Sequence, residues 1–518
     1  MAFHWKVLLW MLAGVVFGVG LQAFTDAPVA TGLTTSETSY LVEVDGESVE
    51  RDGLAVTKVG AGAAVKIGAV ETGDVLVAAW LERGVADTRT ELATAEDLEA
   101  VAAARSPGET LWLETRSGAF RALPLGLDPA SWRASILAPF EFVAQLFMQL
   151  LKMLIVPLVL TSIVSGVAGV GNMGSLRRLG IKTFVYYLAT SLLAVLLGQV
   201  LVTLIAPGKG ASLGLGPAEV GDQELGFADI LLRMVPENVP AAMTSNGAML
   251  SVIFFALVLG VSISRSSDPH GLRIRDWFES AFHVMMRMAE MVLALLPYGV
   301  FALMVRVVGR TGLEAFEPLA LYMLTVAAAL VLHSVVTLPL VMRLVGGISP
   351  KKWFRAMSPA LMTAFSTSSS SMTLPVTMET VEKRGRVSNK VSSFCLPLGA
   401  TINMDGTALY ECIGVIFLAQ FYASTQGFEL TLGVQALVVV MALMASVGAA
   451  GIPSAGLVMM LTILSAIGLP LEGAALLLAV DRPLDMMRTM VNVWSDSCGA
   501  AVLARTEGEE GPLEPALT

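Results

Sequence analysis

Between Asp481 and Asp496 the chain reads DRPLDMMRTMVNVWSD, and Asp481, Asp485, Arg488, Asn492 and Asp496 are spaced 4, 3, 4 and 4 residues apart. On an α-helix that spacing puts all five on one face. Apolar stretches lie on either side. The helix is therefore expected inside a membrane, where ionisable groups are costly and face a cavity or a substrate path. Arg488 is the only base in this ladder, and Thr489 adds a second neutral polar group beside Asn492. Acids, one guanidinium, a hydroxyl and an amide suit a small zwitterion together with hard cations. A soluble amphipathic helix with a solvated face would read the same way locally. The composition of the rest of the chain decides against it.

A second polar stretch, Asn403-Met404-Asp405-Gly406-Thr407, interrupts the apolar run 391–423. Asn and Gly disfavour the helix there, while Asp and Thr supply oxygens, the ligands that hard cations take. A carboxylate buried without a partner is prohibitively costly. Asp405 and Asp496 therefore read as cation ligands, although a pairing of Asp405 with Arg488 would meet the same need. Tyr187-Leu188-Ala189-Thr190-Ser191 is a further polar patch in an apolar run. Glu411 lies within two turns of Asp405 and has few polar sequence neighbours.

The elements that must position these residues follow from composition. Of 518 residues 55% are hydrophobic and only 15% charged, with a mean hydropathy of +0.72; soluble chains carry roughly 25% charged residues. Residues 26–133 hold 18 acidic and 9 basic residues, most of the net charge of −10. No basic stripe exists, so nucleic acid is not an expected partner. Cys395, Cys412 and Cys498 all lie in apolar segments and imply neither a disulfide framework nor a metal motif. Apolar runs at 7–23, 138–170, 181–206, 227–264, 276–308, 316–346, 391–423 and 468–504 read as membrane spans. A cleaved signal peptide is the alternative for the first.

Two further apolar stretches are broken at their middles. Residues 357–384 are interrupted by Ser366-Thr367-Ser368-Ser369-Ser370-Ser371, and 434–467 by Gly448-Ala449-Ala450-Gly451-Ile452-Pro453. Each precedes a full span with polar residues at mid-depth. Paired interrupted segments in corresponding places point to inverted repeats, in which free N–H groups of half-helices suit an anion and free carbonyls a cation. A flexible linker at the serine run and close helix packing at the glycines are the plainer readings. Lys6, Arg177, Arg178, Lys182, Arg265, Arg273, Arg275, Lys351, Lys352 and Arg355 lie in loops expected to be cytoplasmic, which puts residues 24–133 outside the cytoplasm.

These motifs resemble the dicarboxylate/amino acid:cation symporter family, which includes glutamate and aspartate transporters. The matching stretches are the serine-rich tip with Thr373 to Pro375, Asn403 to Thr407, Gly448 to Gly456 and Asp481 to Asp496. The resemblance implies import of glutamate or aspartate driven by Na⁺, with H⁺ as a second coupling ion, no covalent cofactor, and a homotrimer in the cell membrane (the inner membrane in a Gram-negative cell). It implies that Arg488 clamps the side-chain carboxylate of the substrate and Asp485 holds its ammonium. Thr489, Asn492, Thr407, Ser369 and Ser370 would bind around these, with Gly451 and Ile452 closing over the ligand. One Na⁺ site would use Gly399, Asn403, Asn492 and Asp496. A second would use backbone oxygens of Thr401, Ser446, Val447 and Ala449, and a third Tyr187, Thr190, Ser191, Asn403 and Asp405. Glu411 resembles the family's proton carrier; a hydrogen-bonded structural acid is the plainer alternative. The family often has an arginine at the place of Ser368 or of Met486, and neither is one here. Pro483 should kink the last helix.

Residues 38–128 do not belong to the usual family pattern. Val42 to Val44, Asp74 to Ala78, Leu111 to Thr115 and Phe120 to Leu125 read as strands, and Thr94-Ala95-Glu96-Asp97 as a capping box that opens a helix to about Ala104. The order resembles a divergent PDZ domain, with a peptide or protein partner in prospect; a spacer or trimer-contact domain is the alternative. Two other functions fit the residues less well. A C4-dicarboxylate has no ammonium and would be repelled by Asp485. A membrane metalloprotease needs H-E-x-x-H, and His4, His270, His283 and His333 form no such motif.

The expected fold is an all-α polytopic membrane protein of eight transmembrane helices and two re-entrant helical hairpins in inverted repeats, with a small α+β insert. Its expected divisions are the first helix at 1–23, the extracytoplasmic insert at 24–133, scaffold and early transport helices at 134–350, the transport core at 351–504 and a cytoplasmic tail at 505–518.

Overall fold

The computed structural model describes residues 3–515, apart from 27, 45–46, 60–69, 82–87, 106–108, 170–176, 212, 214–231, 233, 245–247, 267, 427 and 448–454. Helix α1, Phe3–Phe24, leads into a sheet domain. The helical body then resumes with α3 (Trp132–Gly169), α4 (Arg177–Ile205), α5 (Val239–Thr244), α6 (Met249–Arg265), α7 (Pro269–Leu293), α8 (Leu296–Thr311) and α9, which runs from Phe316 to Gly346. Among the described residues four helical segments are long and apolar enough to cross a membrane: Trp132–Ala168, Arg178–Ile205, Phe316–Gly346 and Asn389–Thr425. The pair α7 and α8, bent by 48°, could form a fifth. Val16, Val185, Leu204, Leu324, Val335 and Leu344 are all exposed, as expected of faces that meet lipid rather than water.

The chain is a multi-pass membrane protein, and the second half holds its polar centre. Helices α10 (Pro350–Thr367) and α11 (Ser370–Lys383) form a helical hairpin. The serine run is its tip: Ser368 takes a left-handed conformation (φ 52°) that ends α10, and the Ser369 hydroxyl accepts from the Met372 N–H to cap α11. Such a cap satisfies a donor that lipid could not. Helix α12 (Asn389–Ile402) breaks at Asn403 and Met404 before α13 (Asp405–Gln426). The most apolar window of this pair is 89% buried, against 33–50% for the other spans, so it is the axis of the molecule. Helices α14 (Leu432–Val447) and α15 (Ala455–Ala466) flank the second expected hairpin tip, which lies outside the described residues. The last helix, α16 (Glu472–Thr506), continues through Pro483 as one element. It packs on both arms of the first hairpin and on α13.

The insert is an antiparallel sheet of order β2-β3-β4-β6-β7, with β5 (Arg89–Glu91) paired to β4. It is more extended than the sequence implies. The expected strand Val42 to Val44 is the end of a long hairpin, β2 (Leu33–Val44) and β3 (Glu47–Val59), whose polar Thr, Ser and Glu residues obscure it in sequence. Strands β4 (Val75–Trp80), β6 (Thr110–Thr115) and β7 (Phe120–Pro124) fall where expected. Helix α2 (Ala95–Ala103) starts in a full capping box between Thr94 and Asp97. Leu54, Leu76, Leu98, Leu111, Leu113 and Leu123 form the insert's core. A short seam closes its base: β1 (Val29–Ala30) pairs with β8 (Gly126–Leu127), and Arg133 donates to the Thr25 hydroxyl at 3.0 Å.

Helix α3 starts at this seam, and its 38 residues carry the chain the full depth of the body. At the far end the C-terminal tail is clamped. Glu507 accepts from Arg178 and Lys182, each at 2.6 Å, and Glu509 accepts from the Ser388 N–H at 2.9 Å. Hydrogen bonds from Arg178 and then Lys182 hold the Glu507 carboxyl down at about 2. The basic segments at 177–182 and 351–352 thus share one end with the tail, and the insert occupies the other.

Candidate functional site

Five elements, α4, α9, α12, α13 and α16, converge where α12 gives way to α13. The backbone leaves the helix at Asn403 and Met404 and re-enters at Asp405, which frees polar groups at the depth where α16 presents its charged face. Gly406 makes the approach close: a Cβ there would lie 2.7 Å from the Arg488 carbonyl oxygen. Its N–H donates to Asn492 Oδ1 at 2.8 Å, and Asn492 Nδ2 donates to the Thr407 hydroxyl at 3.1 Å. Thr407, Asn492 and the helix break therefore form one unit.

The charged face of α16 is buried and internally paired. Arg488 Nη2 lies 2.6 Å from Asp485 Oδ1 and Nη1 3.4 Å from Asp481 Oδ1. The Tyr410 ring sits 4.6 Å from the guanidinium carbon, a favourable cation–π arrangement. The expectation that Arg488 is the only base here needs correcting. Arg482 is buried too, and its Nη1 lies 3.1 Å from Asp485 Oδ2. It falls outside the 4-3-4-4 ladder, but it stands three residues before Asp485 and so is its neighbour on the helix. Thr489 turns its hydroxyl to the Asp485 carbonyl at 2.8 Å. Ser369 and Ser370 are buried at the tip of the first hairpin, while Gly451 and Ile452 lie outside the described residues.

The proposed cation residues gather in two of three cases. Asn403 Nδ2 donates to Asp496 Oδ1 at 2.9 Å, and the Asn403 N–H donates to the Gly399 carbonyl at 2.9 Å. Gly399 has no room for a side chain, because a Cβ would collide with Asp496 Oδ1 and stand 2.8 Å from the Tyr187 hydroxyl. Asn403, Gly399 and Asp496 are thus together, with Asn492 one turn along α16. The group around Asp405 is close as well. Ser191 donates to Asp405 Oδ1 at 2.6 Å, and Thr190 reaches both Asn403 Oδ1 (3.3 Å) and Asp405 Oδ1 (3.4 Å). Tyr187 donates its hydroxyl to the Cys395 carbonyl at 2.8 Å. Of the set of backbone oxygens, Thr401 lies in the last turn of α12 and Ser446 in that of α14, while the Val447 side chain and Ala449 lie outside the described residues. No cluster of His, Cys, Asp and Glu suited to a metal occurs among the described residues.

Asp405 does not pair with Arg488. Its second oxygen, Oδ2, accepts from Ser495 at 2.6 Å and from the ring Nε2 of His333 at 3.2 Å. Sequence reading missed both partners. His333 opens a π-helical turn, His333–Thr337, in α9. Such turns recur at functional sites because they redirect one side chain and loosen one carbonyl. Here the Ser334 carbonyl is capped by Trp494 of α16 at 3.1 Å. Glu411 is fully buried in α13, and neither carboxyl oxygen has a hydrogen-bond partner among the described residues.

Over residues 111–506, which include every residue of this centre, the chain matches the sodium:dicarboxylate symporter family. The chain belongs to that family. Symporters of this family are named for moving a small anion with sodium, and a buried set of oxygen ligands beside a guanidinium is suited to both. Similar proteins include excitatory amino acid transporter 3 of Mus musculus, 34% identical over 425 residues, 72% of this chain and 80% of the relative. Excitatory amino acid transporter 4 of Mus musculus is 33% identical over 450 residues, 73% of this chain and 79% of its own length. The proton/glutamate-aspartate symporter of Escherichia coli (strain K12) is 33% identical over 392 residues, 73% of this chain and 87% of its own. The family match leaves out residues 1–110 and therefore most of the insert.

Proposed function

We propose that this protein imports acidic amino acids, aspartate or glutamate, across the cell membrane together with Na⁺. The observation that carries this is the buried Asp485–Arg488 pair at 2.6 Å. It presents one acid and one guanidinium side by side, the complement of a ligand bearing an ammonium and a second carboxylate. The named activities of the relatives support the same substrate class. In this reading Arg488 binds the distal carboxylate and Asp485 the ammonium. Thr407, Thr489 and Asn492 hold the remaining polar atoms, with Ser369, Ser370, Gly451 and Ile452 at the closing hairpin tips. Asp496 with Asn403, Gly399 and Asn492 takes one Na⁺, and Asp405 with Thr190, Ser191, Asn403 and Tyr187 another. Thr401, Ser446, Val447 and Ala449 take a third. Glu411, a buried carboxyl without a hydrogen-bond partner among the described residues, carries H⁺. The protein works as a trimer, with the tail and the basic ends in the cytoplasm and the insert outside, where it serves as a spacer or contact domain.

Uptake of radiolabelled aspartate, glutamate and succinate into proteoliposomes tests this. An inward Na⁺ gradient should drive accumulation of the two amino acids well above the gradient-free level. Accumulation that ignores Na⁺, or that occurs for succinate alone, would overturn it.

A further inference from the structure

Arg482 has no part in the ligand sets described above, yet it is a buried cation at the substrate face. Asp485 is shared between two guanidiniums: Oδ1 faces Arg488 at 2.6 Å and Oδ2 faces Arg482 at 3.1 Å. With Asp481 on Arg488, the four groups form a chain of two acids and two bases, neutral overall. A ligand cannot use Arg488 and Asp485 at once while they are bonded to each other. When that pair opens, Arg488 is free to turn to the ligand's carboxylate. Asp485 stays held through Oδ2 by Arg482, with Oδ1 vacated for an ammonium.

We propose that Arg482 sets how strongly the site prefers a ligand with an ammonium over a dicarboxylate without one. The proposal rests on the acidic amino-acid reading and names what tunes it. A dicarboxylate presents two negative charges and nothing for Asp485. It is tolerated to the extent that Arg482 offsets the Asp485 charge. Two consequences of removing Arg482 act in the same direction. Asp485 loses one of its two counter-charges and attracts an ammonium more strongly. The site also loses one positive charge, which costs a dianion more than a monoanion at the same distance. The buried setting, with Arg482 at 8% exposure and Asp485 at 1%, keeps solvent from screening either effect. The Arg482 Nε has no partner among the described residues, so the side chain is held by its charge pair rather than by a wider network.

The test is binding to the purified full-length protein in detergent at saturating Na⁺: calorimetry for L-aspartate, and displacement of labelled aspartate by succinate. The readout is the ratio of the two dissociation constants, succinate over aspartate. Arg482→Met and Arg482→Gln should each raise the ratio at least tenfold over wild type. Arg482→Lys should hold it near wild type. In an Asp485→Asn background, Arg482→Met should shift the ratio much less, because the charge it offsets is gone. An unchanged or falling ratio in either neutral variant overturns the proposal. So does a wild type from which succinate cannot displace aspartate at all, or a folded Arg482→Gln that binds neither ligand. Wild type that binds neither aspartate nor glutamate would instead remove the transport reading beneath it.

Discussion

Arg488 is clasped by Asp481 and Asp485 and backed by Tyr410. Replacing it with Cys removes the carboxylate clamp and one of the two cations that neutralise Asp481 and Asp485, a loss of about 3–5 kcal/mol when a buried pair is broken. Arg488→Cys should therefore weaken aspartate binding by at least about a hundredfold and lower the melting temperature; calorimetry and a thermal melt check both. Asp485→Ala should weaken aspartate far more than succinate, and equal losses for the two ligands would argue against an ammonium contact. At this scale the charged residues were legible because an ionisable group in an apolar chain needs a reason. Arg488, Asp405 and Asp496 announced themselves by charge and helical spacing. Arg482 did not, because it lies one position off the ladder. His333 could not: a lone histidine in an apolar run carries no spacing signal, and only the fold brings it to Asp405, 72 residues away.

The helix break at Asn403 and Met404 makes the centre, and its tolerances are small. A Cβ on Gly406 would meet the Arg488 carbonyl oxygen at 2.7 Å and Asn492 Oδ1 at 3.1 Å. Gly406→Ala should cost about 1–3 kcal/mol through overpacking and weaken substrate binding. Gly20→Ala makes the control, since nothing lies within 4 Å of its Cβ and helix propensity favours the change. A thermal melt of both variants decides; equal midpoints would mean that the close approach of α13 to α16 carries no constraint. The serine run predicted the first hairpin because polar residues between apolar arms leave the chain few ways to satisfy its backbone inside lipid. The π turn in α9 and the long β2–β3 hairpin were not legible. The first depends on what α16 offers the Ser334 carbonyl, and the second is written in polar residues that do not alternate with apolar ones cleanly.

On the scale of the whole molecule, the insert and the polar centre are separate in sequence, and β7 of the insert meets the helical body at α13. The β1–β8 seam brings the two ends of the insert into register as Val29↔Leu127 and Ala30↔Gly126, so a short turn can replace everything between. Deleting residues 31–125 with a two-residue linker should leave Na⁺-driven uptake largely intact, because every proposed ligand lies beyond residue 180. A folded deletion variant without transport would make the insert part of the mechanism. The membrane character was plain from hydropathy, and the first hairpin from its broken apolar stretch. The insert's sheet was only partly so, because its short strands lack the long periodicity of the helices. In the proposed function substrate and sodium share one buried centre, with Asp496 and Asp405 on one side and Asp485 and Arg488 on the other. Calorimetric titration of aspartate at a series of Na⁺ concentrations, at constant ionic strength, tests it most directly. Linkage requires each coupled sodium to tighten aspartate by up to about tenfold per tenfold rise in Na⁺ below saturation, and Asp496→Asn should flatten that response. An aspartate affinity that stays the same from zero to saturating Na⁺ would contradict the account.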